Sequence, residues 1–143
     1  MKKILLSIIS SIILSIFCLG QTVIEAAHES LDSLNKIYTI FDKEAKFPGD
    51  SEAWRKFIQK NLKINLPLKN GAPDGTYQVF VRFIVGIDGK ISDFYAETSF
   101  GYGMEDEVIR MIKKCPNWEP ALRYGRKVNS IKRQRISFVY ATK

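Results

Sequence analysis

The residues best suited to chemistry are few. The chain holds one imidazole, His28, and two thiols, Cys18 and Cys115, the types from which a nucleophile and its base are commonly assembled. His28 stands beside Glu25 and Glu29, and no spacing sets a nucleophile against it, so it reads as a solvated histidine on a helix face. Cys115 ends an apolar helical stripe just before Pro116 and reads as a small buried apolar group. The run Glu105, Asp106, Glu107 invites acid–base chemistry. It also opens a predicted helix, where carboxylates complement the positive end of the helix dipole. Gly101-Tyr102-Gly103 resembles a phosphate cradle, but those three carboxylates occupy the end a phosphate would need, and no Gly-Lys-Ser/Thr tail follows. Acids elsewhere are too scattered to converge with His and Cys on a metal. No catalytic residue, metal or cofactor is expected, and the chain reads as a non-enzyme.

The charge distribution is more informative. Formal charge is +7. Between Ala121 and Lys143 lie seven cations (Arg123, Arg126, Lys127, Lys132, Arg133, Arg135, Lys143) and no acid. Phe138 and Tyr140 in the same stretch raise the possibility of a β-sheet surface for nucleic acid. An exported protein, however, rarely meets nucleic acid. An acidic partner, or cations guarding a strand edge against aggregation, remains.

At 143 residues, 45% hydrophobic and 12% aromatic, the chain is sized for one domain with a core. Lys2 and Lys3 precede an apolar run of 16 residues, Ile4–Leu19, that contains four serines, and Gly20 follows. This is the pattern of a secretory signal cut between Gly20 and Gln21. A retained membrane anchor and lipidation at Cys18 are the alternatives, though a spanning helix needs about 20 apolar residues. Cleavage leaves Cys115 as the single thiol, so the fold must hold by packing without an internal disulfide. The expected organisation is a signal at 1–20, a lead segment at 21–45 and a domain at 46–143.

Within the lead, Ile24, Ala27, Leu31 and Leu34 fall at helical spacing, and Lys36–Asp42 is suited to a short strand. Phe47-Pro48-Gly49-Asp50 is a turn, with Asp50 or Ser51 placed to cap a helix carrying Ala53, Trp54, Phe57, Ile58 and Leu62 on one face. From Tyr77 to Ile87, alternation predicts a strand, Asp88-Gly89 a tight turn and Lys90–Thr98 a returning strand with Phe94 and Ala96 inward. A second helix runs from Met104 to Lys114 on the face Met104, Val108, Met111, Ile112, Cys115, and Val128–Tyr140 is the last strand. The predicted fold is α+β: a small antiparallel sheet of about three strands, two helices packed on one face, and a short strand/helix lead.

In order and spacing, Phe47-Pro48-Gly49, Val81-x-Phe83-Ile84-Val85, Asp88-Gly89-Lys90-Ile91, Glu107-x-x-Arg110, Lys113-Lys114-x-Pro116-x-Trp118-x-Pro120 and Gly125-x-x-Val128 resemble the TonB C-terminal domain family, in the style of small exported Bacteroidetes-type proteins. The likeness covers Tyr38 to Phe138. It implies a periplasmic binding module in which a TonB-box-like peptide of an outer-membrane receptor, or of another envelope protein, pairs as an added strand along the last strand. The docking edge it implies is Asn129, Ser130, Ile131, Lys132, Arg133, Gln134 and Arg135. Phe47, Pro48, Gly49, Phe83, Gly89, Pro116, Trp118, Pro120 and Gly125 take structural roles, with Trp118 and Pro120 fastening a loop to the sheet.

Full-length transducers in that family have a longer anchor with a histidine in it and a Pro-rich spacer. Here the apolar run is short, no proline precedes Pro48, and Gln21–Ala45 reaches at most ~80–90 Å. A stand-alone adaptor is therefore the expectation. The alternative is an inner-membrane-anchored transducer of proton-motive force, engaging motor proteins only if the N-terminal helix is retained. A homodimer through the last strand is a further possibility. The last strand has one anomaly: its core-facing positions Ser130, Lys132 and Gln134 are polar, so its centre either overhangs the sheet or is covered by a partner.

Overall fold

The computed structural model describes residues 36–141. The expected signal, most of the lead, Cys18 and His28 lie outside the described residues. From Ile37 on, the described residues belong to one compact unit. Eight elements follow in order: β1 (Ile37–Tyr38), α1 (Ser51–Asn61), α2 (Leu66–Lys69), β2 (Gly75–Val85), β3 (Ile91–Ala96), α3 (Met104–Ile112), β4 (Ala121–Arg123) and β5 (Arg126–Tyr140). The architecture is α+β, as expected, with two helices of two or more turns and a mixed five-stranded sheet ordered β1-β5-β2-β3, β4 also pairing with β5. The three expected antiparallel strands are β2, β3 and β5. β1 falls within the short strand expected over Lys36–Asp42 and pairs with β5 in parallel, and β4 is the addition.

β2 shows why the sheet forms. Its side chains alternate between faces, so Val79, Val81, Phe83 and Val85 are buried while Gln78 and Arg82 face solvent. β5 pairs with it without a slip, from Val85↔Ser130 to Gly75↔Tyr140. That register places Ser130, Lys132, Gln134, Ile136, Phe138 and Tyr140 on the helix-covered face. β3 carries a bulge opposite the Arg82–Ile84 stretch, with Asp93 at φ +51°. Ile91 and Phe94 are three residues apart and would face opposite sides of a regular strand. The extra residue lets both pack on the core.

The β2–β3 turn is wider than a two-residue hairpin. Gly86 N–H donates to the Lys90 carbonyl, and Asp88 Oδ1 accepts from Lys90 N–H. Gly89 has φ +81°, and a Cβ there would sit 2.2 Å from the Trp118 carbonyl oxygen. Trp118 N–H in turn donates to the Gly89 carbonyl at 2.8 Å. Only glycine fits this close approach. The Trp118 ring then meets Phe83 (5.1 Å), Phe47 (6.0 Å) and Trp54 (5.9 Å), so turn, strand, loop and helix share one aromatic knot. Pro116 and Pro120 bracket the segment carrying Trp118. Gly125, with Tyr124, forms the two-residue turn joining β4 to β5. On the far side of that segment, Lys46 and Glu119 form an isolated bridge, and so do Lys43 and Leu122. Residues 37–45, expected in the lead, are thus part of the compact unit, and Ala45 is buried in its core.

The two helices differ in depth. α3 buries Met104, Val108, Met111 and Ile112. α1 is capped by Asp50 Oδ1, which accepts from Ala53 N–H at 2.8 Å, yet none of its residues is fully buried. Glu107, expected as a first-turn carboxylate at the positive end of the helix, stands there and is buried. It accepts two hydrogen bonds from Arg110, at 2.6 and 2.5 Å, and one from Lys63 N–H at 2.7 Å. Arg110 also donates to the Asn61 carbonyl at 2.6 Å. The pair therefore satisfies backbone groups at the open end of α1. Burial alone would push the Glu107 carboxyl up, but the Arg110 guanidinium and the Lys63 N–H outweigh it and hold the group below its ordinary value.

A depressed folded-state pKa contributes stability above the unfolded value, about 4.3, that is lost as pH falls through the folded value. Glu107→Gln is expected to cost about 2 kcal/mol at neutral pH. That deficit should shrink toward pH 3 in chemical denaturation curves, whereas a pH-independent deficit would assign the effect to shape alone.

Candidate functional site

A strand has two hydrogen-bonding flanks, and the direction of each backbone group on β5 follows from its neighbour β2. The Phe80 carbonyl accepts from Glu97 N–H at 2.9 Å, and Phe80 N–H donates to Thr98 Oγ1 at 3.3 Å. Both Phe80 groups therefore turn toward the β3 side. Its partner across the β2–β5 pair, Arg135, is in a non-hydrogen-bonded position, so its own N–H and C=O turn away from β2. Consistently, the Arg135 carbonyl accepts from the Gln134 side-chain amide at 3.3 Å. By alternation, Ile131, Arg133, Ser137 and Val139 turn the same way.

That flank is covered only at its start. There β1 pairs with Asn129 and Ser130, whereas β4 pairs with Arg126–Val128 on the other flank, in line with β2. Asn129 and Ser130, two of the seven residues of the expected docking edge, thus already have strand partners, and the Ser130 side chain is buried. Among the described residues, no strand pairs with this flank from Ile131 onward. Ile131, Lys132, Arg133, Gln134 and Arg135 remain as the open part of the expected edge, and the same flank continues through Val139.

Clefts lie on both faces beside it. On the helix side, a cleft of about 370 Å³ runs between Phe47, Trp54 and Trp118 and the side chains of Lys132 and Gln134. Farther along, one of about 400 Å³ lies between Ile58, Leu62 and Ile64 of the α1 side and Arg135–Ser137. On the opposite face, one of about 440 Å³ is bounded by Thr39, Phe41 and Glu44 and by Phe80, Ile131, Arg133 and Arg135. The polar middle of β5 is thereby explained: Lys132 and Gln134 line the helix-side cleft where α1 overhangs the sheet margin. Lys132 Nζ reaches Glu44 at 2.9 Å, and that hydrogen bond holds the Glu44 carboxyl below its ordinary value.

The solvent face is cationic for a reason visible in the register. Arg82 and Arg133 stand directly opposite each other, an arrangement that repels. Glu97 lies between them, 2.7 Å from Arg82 Nε and 2.5 Å from Arg133 Nε. The Arg133 guanidinium also lies over the Phe80 ring at 3.7 Å. Arg135 has no acidic partner among the described residues.

The groups considered for catalysis stand elsewhere. Glu105 accepts from Phe100 and Gly101 N–H groups, which caps the loop before α3. Glu107 is a paired carboxylate. Burial pushes the Cys115 thiol up to about 11, with the Trp118 indole pulling it slightly back, so the group is protonated and unreactive at neutral pH. Among the described residues, no group of three His, Cys, Asp or Glu side chains converges on a metal position, and no helix is long and apolar enough to cross a membrane. Comparison of the chain with protein-family models, with curated proteins and with solved structures gave no match.

Sequence reasoning missed three parts of the site: β1 as a cover on Asn129 and Ser130, the overhang of α1, and Glu97 between two arginines. The last is the most testable. Glu97→Gln should leave Arg82 and Arg133 facing each other unscreened and cost about 1 kcal/mol at low salt. Melting of this variant should recover toward wild type as NaCl is raised, and a salt-independent difference would rule out charge repulsion as the cause.

Proposed function

We propose that this protein is a periplasmic protein-binding module similar to the TonB C-terminal domain, which takes an extended peptide of an outer-membrane or other envelope protein onto β5 by strand addition, in support of TonB-type transport. The observation that carries this reading is the flank of β5 from Ile131 onward. Its amides and carbonyls are oriented outward, and clefts on both faces stand ready for alternating side chains. In strand addition, main-chain hydrogen bonds supply the grip and side-chain pockets supply the choice. Export rests on the basic start and apolar run of residues 1–20. The motif chain from Phe47 to Val128 motivates the family.

The outward amide of Arg133 separates docking from folding. Arg133→Pro removes a donor that β2 does not use, whereas Gln134→Pro removes one that β2 does. A photo-reactive residue at position 135 is expected to cross-link in intact cells to an extended segment of an outer-membrane protein. Adding Arg133→Pro should reduce that adduct by about tenfold or more, and Arg133→Ala should reduce it much less. An adduct insensitive to Arg133→Pro would place the docking site elsewhere. Fractionation of the same cells should recover a form beginning at Gln21 free of the inner membrane. Full-length protein retained there would instead favour the transducer that couples proton-motive force to the receptors.

A further inference from the structure

Resting on the strand-addition reading, we infer that the edge selects peptides in which acidic and apolar residues alternate, acids on the solvent face and apolar side chains on the helix face. A strand paired with β5 must project alternate side chains to opposite faces of the sheet. Residues set opposite Arg133 and Arg135 lie on the solvent face, within cross-strand reach of both guanidiniums. Of the three arginines there, Arg82 and Arg133 share the Glu97 carboxylate, and Glu44, beside the same cleft, is engaged by Lys132. The surface is left with excess positive charge, and Arg135 has no acidic partner among the described residues. Residues set opposite Lys132, Gln134 and Ile136 point the other way, toward Trp54 at one level and Ile58 and Leu62 at the next. None of the α1 residues is fully buried, so apolar side chains seated there would complete the cover of that helix. The matched pattern across Lys132–Ile136 is apolar, acidic, apolar, acidic, apolar.

Charge also excludes a second copy as the favoured occupant. Two β5 edges related by a two-fold axis perpendicular to the sheet pair solvent-face residues with solvent-face residues. The registers centred on this stretch therefore set Arg133 or Arg135 against Arg133 or Arg135, a like-charge pairing that destabilises. An acidic strand relieves what a second copy would worsen.

The test uses the full chain and short capped peptides, read by fluorescence anisotropy. One peptide alternates Val and Glu over the matched positions. A second replaces Glu by Gln, and a third keeps the composition of the first but gathers the glutamates into a block. At about 50 mM salt the alternating acidic peptide should bind about tenfold tighter than either control. The advantage over the Gln peptide should narrow to about twofold in the Arg133→Gln/Arg135→Gln variant and at about 500 mM salt. Equal binding of all three peptides, lost together with Arg133→Pro, would overturn the selectivity and leave strand addition standing. Binding of none of them would overturn both. Tighter binding of a single-stranded oligonucleotide or of anionic vesicles than of the acidic peptide would overturn the assignment of the cationic face to a peptide.

Discussion

The register between β2 and β5 governs nearly everything else in the molecule. It runs from Val85↔Ser130 to Gly75↔Tyr140 without a slip, and each residue in it has a fixed face and a fixed flank. A slip of one position would send Phe138 and Ile136 into solvent and bring Arg133 and Arg135 against α3 and the core, at a cost no surface interaction could offset. Because the apolar residues lock the register, they also decide which backbone groups of β5 look outward. The exposed row of amides and carbonyls is a by-product of the same alternation that builds the core.

A long central strand with an open flank needs its surroundings held in place, and the Gly89–Trp118 contact provides this. The backbone of the β2–β3 turn and that of the segment before β4 approach too closely for any side chain at Gly89. The indole this positions touches Phe47, Trp54 and Phe83. One wall of the helix-side cleft is therefore anchored to the opposite end of the hairpin. The buried Glu107–Arg110 pair holds the other end of α1 through Asn61 and Lys63. Fixed at both ends, α1 stands beside the strand margin with an apolar face that the sheet covers incompletely. The exposed edges elsewhere are blunted in the usual ways, by a short β4, a bulge in β3 and flanking charges.

Much of this was legible in the residues. Strict alternation over Tyr77–Val85 could only be a strand with one buried face, and the apolar spacing of Met104, Val108, Met111 and Ile112 could only be a helix on that face. Asp50 as a cap, Gly89 as a turn residue and the odd polarity of Lys132 and Gln134 were equally visible. Other features were not. β4 is too short for periodicity to reveal, and although a short strand was expected within Lys36–Asp42, its pairing of Ile37 with Asn129 joins residues with no local signal of proximity. The bulge at Asp93 was hidden because a bulge is a property of a strand pair, not of one strand. Glu107 read as a helix-dipole charge because its partner at Lys63 is remote in the chain.

The amino-acid order by itself determined the two long helices and the three long strands, which faces they bury, and that the last strand would be cationic, since those properties follow from local period and composition. Tertiary structure alone decided where on β5 the open flank begins, which clefts border it and which carboxylate holds Arg82 and Arg133 together. Those depend on how far β1 reaches along the strand and on where α1 comes to rest, distances that no run of neighbouring residues encodes.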